Sequence, residues 1–352
     1  MSRPVVAVDA APAVRAQRTG TELVAWELCR RLPAAAPDLE FRFFAPVTGD
    51  GDVPVVRLPA RRLFSQLRLP RELWRHRPDL VFAPAHVVPF LSPARTVTIV
   101  HDLAFERFPE AYSARDLRYL RLTTRWAERR CRLLITPSEA TRQDLLQLHR
   151  VDPVRVVTVH PGGGERVPEL GADEVDRRLW ALGVERPYIL QVGRVEPKKR
   201  PQLALRAVER LAGLRLVLAG ATPDPELAAL LESSPACTLL GRVTDADREA
   251  LYQAAAAVVM PSIYEGFGFP LLEAMRRGAP VVATAVSSLP EIGGDAAYYL
   301  EDAADAASFA ATLARAMEDR PQLAIRGRAR AARFTWERCT GGVAEVLRAA
   351  LA

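Results

Sequence analysis

Pro261-Ser-Ile-Tyr-Glu-Gly-Phe-Gly-Phe-Pro-Leu-Leu-Glu-Ala-Met-Arg-Arg-Gly-Ala-Pro-Val-Val282 reads as a loop, a short helix and the start of a strand. Pro270 suits the first helical position, where its missing N–H costs nothing. Gly278 and Pro280 stop the helix after about two turns. Glu273 is then expected in the first turn, with Glu265 on the loop leading into it. Free backbone N–H groups and the positive helix end point at whatever lies between the two acids. Spacing alone would also fit two solvated surface carboxylates. The Gly266-Phe267-Gly268-Phe269 context favours a site, because glycines admit a ligand close to the backbone and exposed phenylalanines are unusual on a plain surface loop. Two acceptors bracketing a row of donors suit a polyhydroxylated ligand that carries an anion, and a sugar nucleotide fits that description.

Working outward, strand-like runs occur at Val5–Val8, Phe41–Phe44, Leu80–Phe82, Thr96–Val100, Leu133–Thr136 and Val156–Val159. A second set occupies Tyr188–Val192, Leu214–Leu218, Thr238–Leu240, Ala257–Met260 and Pro280–Ala283. The runs are continuous rather than alternating, as in parallel strands covered on both faces. His160-Pro-Gly-Gly-Gly-Glu165 separates the sets and reads as a linker. The expectation is an α/β chain of two Rossmann-like domains, parallel sheets facing a cleft, with ligands at the carboxyl ends of the strands.

Of 48 basic residues only Lys198 and Lys199 are lysines. They close Tyr188-Ile-Leu-Gln-Val-Gly-Arg-Val-Glu-Pro-Lys-Lys-Arg200, a strand, a glycine turn and a helix start, where α/β folds bind phosphates. A lysine is a compact point charge that an arginine fork does not replace everywhere.

These motifs resemble the donor site of the retaining family-4 glycosyltransferases of the GT-B fold, and the likeness runs along nearly the whole chain. The resemblance implies that Arg194 and Lys199 grip the donor diphosphate, with Lys198 a solvated neighbour. It implies that Glu265 and the amides of Gly266, Phe267, Gly268 and Phe269 hold the donor sugar, and that Glu273 takes the ribose hydroxyls. Leu240-Gly-Arg-Val-Thr-Asp245 would lie beside the base and read it through backbone groups and Val243. Thr19-Gly-Thr-Glu22, a capping box opening a helix over Leu23–Leu32, stands where the family places a richer glycine loop over the donor phosphate. Gly20 is the matching residue. Thr98-Ile-Val-His-Asp-Leu-Ala-Phe-Glu-Arg-Phe-Pro-Glu110 resembles the cleft loop of bacterial mannosyl- and rhamnosyltransferases. By that likeness His101 contacts the donor sugar or reaction centre, and Asp102 shapes the acceptor side. Ser138 reads as a helix N-cap. Residues 1–164 would form the acceptor-binding domain and 165–335 the nucleotide-sugar domain. The stretch from Phe334-Thr-Trp-Glu337 into a last helix, 336–352, would cross back to the first domain.

The expected function is transfer of a hexosyl unit, mannosyl or related, from a GDP-linked or other nucleotide-diphosphate sugar to a glycan or lipid-linked hydroxyl. Cationic side chains would serve where other transferases use a metal, so no metal and no cofactor beyond the donor are expected. A nucleotide-sugar 2-epimerase and a non-catalytic nucleotide-sugar-binding scaffold are the alternatives on the same fold.

Charge is uneven: residues 1–160 hold 25 basic and 17 acidic residues, 161–352 hold 23 and 25. The excess falls in two places. Arg61, Arg62, Arg68, Arg71, Arg75 and Arg77 interleave with Leu63, Phe64, Leu67, Leu69 and Trp74, and Arg115, Arg118, Arg121, Arg125, Arg129 and Arg132 form a helical stripe. Such a surface suits anionic lipid headgroups or a phosphorylated acceptor; no nucleic-acid motif accompanies it. Cys29, Cys131, Cys237 and Cys339 are scattered and read as reduced thiols. With no signal-like or membrane-spanning run, the expected location is cytoplasmic, with peripheral contact at the inner membrane face.

Overall fold

A computed structural model describes residues 3–49, 51–60, 63–163, 168–300 and 305–352. Arg61 and Arg62 of the first basic stretch, and Gly164 and Glu165 of the linker, lie outside the described residues. The chain divides into two compact units, Met1–Gly162 with Thr335–Ala352, and Gly163–Phe334.

In the first unit the strands are β1 (Val5–Asp9), β2 (Glu40–Ala45), β3 (Val55–Arg57), β4 (Leu80–Ala83), β5 (Arg95–Ile99), β6 (Cys131–Thr136) and β7 (Val156–Thr158). They form one parallel sheet in the order β3-β2-β1-β4-β5-β6-β7. The order reverses between β1 and β4, so the loops leaving those strands flank the switch point. All four residues of β4 are buried, as a strand packed on both faces requires. The last helix, Trp336–Leu351, packs on the first helix and on β4, β5 and β6. It buries Trp336, Val343 and Leu347 and ties Arg348 to Asp38. Trp336 sits so close to Gly162 that a Cβ there would lie 2.5 Å from the Trp336 nitrogen.

In the second unit β8 (Tyr188–Val192), β9 (Arg215–Ala219), β10 (Cys237–Gly241), β11 (Ala257–Met260), β12 (Val281–Thr284) and β13 (Tyr298–Leu300) form a parallel sheet in the order β10-β9-β8-β11-β12-β13. Its reversal lies between β8 and β11. The strands β3 and β13, each three residues long at a sheet edge, are absent from the reading of the sequence; the equally short edge strand β7 is legible because it belongs to the β-branched run Val156–Val159.

Local chemistry sets the helix starts. Ser113, Ser138, Asp224, Thr244, Asp305 and Thr335 each accept a backbone N–H at an N-cap, worth about 1 kcal/mol apiece. The helix expected over Leu23–Leu32 runs from Gly20 to Ala35. Thr19 N–H donates to the Glu22 carboxylate at 3.1 Å, completing the capping box.

Three surface expectations change. Arg132 lies on β6, not on the helix Ala114–Arg130, so the stripe ends earlier. Arg121 is paired with Glu106 at 2.9 Å. In the other basic stretch Phe64 and Leu69 are core residues, while Leu63, Leu67 and Trp74 are exposed, with Arg77 stacked on the Trp74 ring at 4.6 Å. Cys29, Cys131 and Cys339 are buried and Cys237 is half-buried, all free thiols. Burial pushes the Cys237 thiol up to about 11 and those of Cys131 and Cys339 to about 12. No helix among the described residues is long and apolar enough to cross a membrane.

Candidate active site

The second unit gathers its candidate residues at the switch point. The loop after β8 begins with Gly193 at φ 123°. A Cβ on Gly220 would lie 1.8 Å from the Gly193 carbonyl oxygen, so the two glycines let adjacent loops touch. The chain then turns through Pro197–Lys199, and the Gln191 amide donates to the Lys199 carbonyl at 2.8 Å. From β11 the next loop brings Glu265. Lys199 Nζ lies 2.5 Å from Glu265 Oε1, the side chains 15% and 13% exposed. Ser262 donates to the same oxygen at 2.7 Å. The Glu265 backbone is also held: its N–H donates to Ser287 Oγ at 2.8 Å, and the Ser287 and Ser288 hydroxyls donate to its carbonyl at 2.9 Å. The carboxylate is therefore fixed in place rather than solvated.

The helix after this loop spans Phe269–Arg276, with Gly268 as its N-cap at φ 103°. It starts one residue earlier than the proline rule suggests. Glu273 therefore falls in the second turn, not the first. There its Oε2 accepts from the Tyr252 hydroxyl at 2.8 Å and lies 3.7 Å from Arg248 Nε. Phe267 is not exposed as expected: it is 5% exposed, edge-on to Phe269 at 5.0 Å and Phe334 at 6.0 Å. The loop's aromatics thus anchor it to the core. Gly266, just before Phe267, is left partly open.

Lys198 is not a solvated neighbour; it is 24% exposed and lies 3.3 Å from Glu196. Arg194 is 64% exposed and 3.7 Å from the same glutamate, outside the Lys199–Glu265 pair. Val243 packs partly buried on the unit's core, next to the N-cap Thr244.

The first unit holds Gly20, His101 and Asp102. His101 follows β5, and its Nε2 bonds the Pro84 carbonyl at 2.8 Å. A carbonyl only accepts, so Nε2 carries the proton and Nδ1 is the acceptor. Burial holds the imidazole below its usual range, against opposing pulls from that carbonyl and from Asp102 and Glu22. Asp102 Oδ1 accepts the Ala104 N–H at 3.1 Å, a local turn bond. Glu22 pairs with Arg15 at 2.8 Å, beside Gly20 at the helix start.

Reading the sequence missed several residues. Tyr252, Ser287 and Ser288 lie 21, 22 and 23 residues from the acids they hold, and Ser262, three residues before Glu265, is a single hydroxyl that gives no signal of its own. Asp9 had a signal, as the one acid ending the first strand. It is 4% exposed, and burial pushes its carboxyl up to about 6, against bonds from Ser65 and the Ala11 amide. The fold prefers its protonated form, so this contribution is complete below about pH 4 and lost as pH rises through about 6. Asp9→Asn is expected to stabilise the protein at pH 8 by on the order of 2 kcal/mol. Denaturation at pH 4 and pH 8 tests this, since the gain should vanish at the lower pH. An equal gain at both values would mean that folding does not raise the Asp9 pKa.

Residues 18–162 match the family described as glycosyltransferase family 4, and residues 173–333 match glycosyl transferases group 1. O-antigen chain mannosyltransferase B of Escherichia coli is 32% identical over 260 residues, 70% of this chain and 68% of that protein. D-inositol 3-phosphate glycosyltransferase of Mycolicibacterium smegmatis is 34% identical over 214 residues, and the match spans 58% of this chain and 49% of that longer relative. Sucrose-phosphate synthase from Thermosynechococcus elongatus superposes with a TM-score of 0.78 at 18% identity, covering 99% of both chains. Anabaena HepE, solved with UDP and glucose, gives 0.78 at 19% identity, covering 99% of this chain and 100% of that one. With two matched regions in this order on two parallel α/β sheets, the chain belongs to glycosyltransferase family 4 and has the GT-B fold.

Proposed function

We propose that this glycosyltransferase moves a hexosyl unit, mannosyl or related, from a nucleotide-diphosphate sugar to a glycan or lipid-linked hydroxyl, with retention of configuration. The observation that carries the reading is the Lys199–Glu265 pair, 2.5 Å apart at the switch point of the second unit and next to the start of the helix Phe269–Arg276. In this reading Lys199, with the exposed Arg194, neutralises the charge that develops on the leaving diphosphate. Glu265 accepts from sugar hydroxyls, and Glu273, steadied by Tyr252, accepts from the ribose. These cations act where other transferases use a metal, so the transfer is read as metal-independent. A leaving-phosphate oxygen takes the proton of the acceptor hydroxyl on the same face of the sugar. The neutral imidazole of His101 offers its Nδ1 to a sugar hydroxyl.

The mannosyl assignment draws support from the likeness to an O-antigen chain mannosyltransferase, and GDP is the donor nucleotide proposed with it. The relatives named as D-inositol 3-phosphate glycosyltransferases favour an acceptor that carries phosphate. The basic surface of the first unit is read as the side that meets such an acceptor or an anionic membrane.

Thermal stabilisation by GDP, UDP, dTDP, ADP and their sugar conjugates tests the donor. A shift selective for the guanine series supports the reading, and one selective for another base replaces the GDP assignment. Glu273→Ala is expected to raise the donor KM about 10-fold or more, the value of a lost charge-assisted hydrogen bond. An unchanged KM removes Glu273 from the ribose.

A further inference from the structure

We propose that the first unit carries a second anion site, a pocket for a phosphoryl group at the amino ends of β6 and β7. It goes beyond the donor reading and does not depend on it. A cavity of about 530 Å³ opens where the helices Ala114–Arg130 and Glu139–His149 end. Arg125, Arg129, Arg150 and Arg155 line it, with His149 between them. His101, by contrast, follows the carboxyl end of β5.

Two of the pocket's three acids lie beside Arg121 or His149, and the third bonds a backbone amide. Glu106 Oε2 lies 2.9 Å from Arg121, Glu128 Oε1 lies 2.5 Å from His149 Nδ1, and Asp152 accepts the Val154 N–H at 3.1 Å. Among the described residues no carboxylate pairs with Arg125, Arg129 or Arg150. Arg155 is fixed in the wall by the carbonyls of Glu128 at 2.6 Å and Cys131 at 2.5 Å. Those bonds order its guanidinium and leave its charge uncancelled. His149, its side chain 5% exposed, has a buried Nε2 with no hydrogen-bond partner, 3.8 Å from Glu106. Arg150 caps its helix at φ 56°, where glycine is the usual residue.

A plain explanation is that cations gather at helix carboxyl ends. Each such end carries about half a negative charge, and the two ends with the Glu128 and Asp152 carboxylates still fall short of four guanidiniums. The surplus suits a ligand with several acceptor oxygens, and guanidinium forks match the oxygens of a phosphoryl group. The volume falls within the ~300–1,000 Å³ of small-molecule sites. It has room for the polar carrier of the phosphate, a sugar or a lipid headgroup.

Inorganic phosphate, titrated calorimetrically at low ionic strength, tests the site with three proteins: wild type, Arg125→Gln/Arg129→Gln and Lys199→Ala. Both arginines are exposed, so the double variant is expected to melt with wild type. Binding should weaken about 10-fold or more in that variant and persist in Lys199→Ala. Arg125→Lys/Arg129→Lys should recover part of it. Flotation with phosphatidylcholine vesicles, with and without phosphatidic acid, separates the sources. Phosphatidic-acid binding that the double glutamine variant loses, with no binding of free phosphate, makes the phosphoryl group lipid-borne. Equal binding by wild type and the double variant overturns the pocket, as does loss in Lys199→Ala alone. Absence of binding to both phosphate and phosphatidic acid overturns it too.

Discussion

Lys199→Ala is expected to lower turnover by about 10²-fold or more, the scale set by loss of one donor that stabilises developing negative charge. The side chain is held for this task. Gln191 fixes its backbone, the turn Pro197–Lys199 sets its direction, and Glu265 anchors its ammonium at 2.5 Å. Removing it also leaves Glu265, 13% exposed, without its cation, which weakens the fold as well. A double variant separates the two effects. Lys199→Ala/Glu265→Gln removes both charges and should recover thermal stability while turnover stays low. Lys199→Arg should not restore the rate fully, because a planar fork does not reproduce a compact ammonium. Initial rates with saturating donor, beside melting temperatures, decide the matter. A near-wild-type rate for Lys199→Ala would take the residue out of the mechanism.

Gly220→Ala is expected to be the most damaging single-methyl change in the second unit. The new Cβ would stand 1.8 Å from the Gly193 carbonyl oxygen and 2.5 Å from its carbon. Both obstacles are backbone, so no side chain can swing aside. Gly220 N–H is itself bonded to the Gly241 carbonyl at 2.7 Å, and Gly193 N–H to that of Ala219 at 3.0 Å. Relief must come from moving the turn that leads to Arg194 and Lys199. The expected result is a loss of about 3 kcal/mol or more, at the upper end of overpacking, with nucleotide binding abolished in whatever protein folds. Gly341→Ala is the control. It sits within the helix Trp336–Leu351 with nothing within 4 Å of its Cβ position, and should stabilise by about 0.5–1 kcal/mol. Circular-dichroism melts of the two variants compare them directly. Equal melting temperatures would mean that the loops around Gly193 yield freely.

Most of the scaffold is legible in the sequence, because buried parallel strands are written as uninterrupted apolar runs. The edge strands β3 and β13 are not, since Val55–Arg57 is hemmed in by Pro54 and Pro59 and Tyr298–Leu300 runs into two acids, whereas the equally short β7 continues a β-branched run to Val159. At the site, the reading depends on what each signal rests on. Glu265 and Lys199 stand out from local motifs, yet they are 66 residues apart in sequence. Their pairing follows from β8 lying beside β11, an adjacency that local patterns do not specify. Pro270 and the glycines indicate a helix start but not its register, because Gly268 in a left-handed conformation lets Phe269 open the helix and moves Glu273 one position on, into the second turn. Phe267 beside glycines looks like a ligand-facing residue. Its burial depends on Phe334, 67 residues away in the chain, and no local rule reaches that far.

The helix Trp336–Leu351 also fixes an order of events during synthesis. It follows the whole of the second unit in the chain, yet supplies Trp336, Val343 and Leu347 to the core of the first. The second unit leaves the ribosome ahead of this helix, while the first still lacks a helix against β4, β5 and β6. The unit begun first is therefore finished last. Until then it presents an apolar sheet face to the cell, the surface on which a chaperone would act.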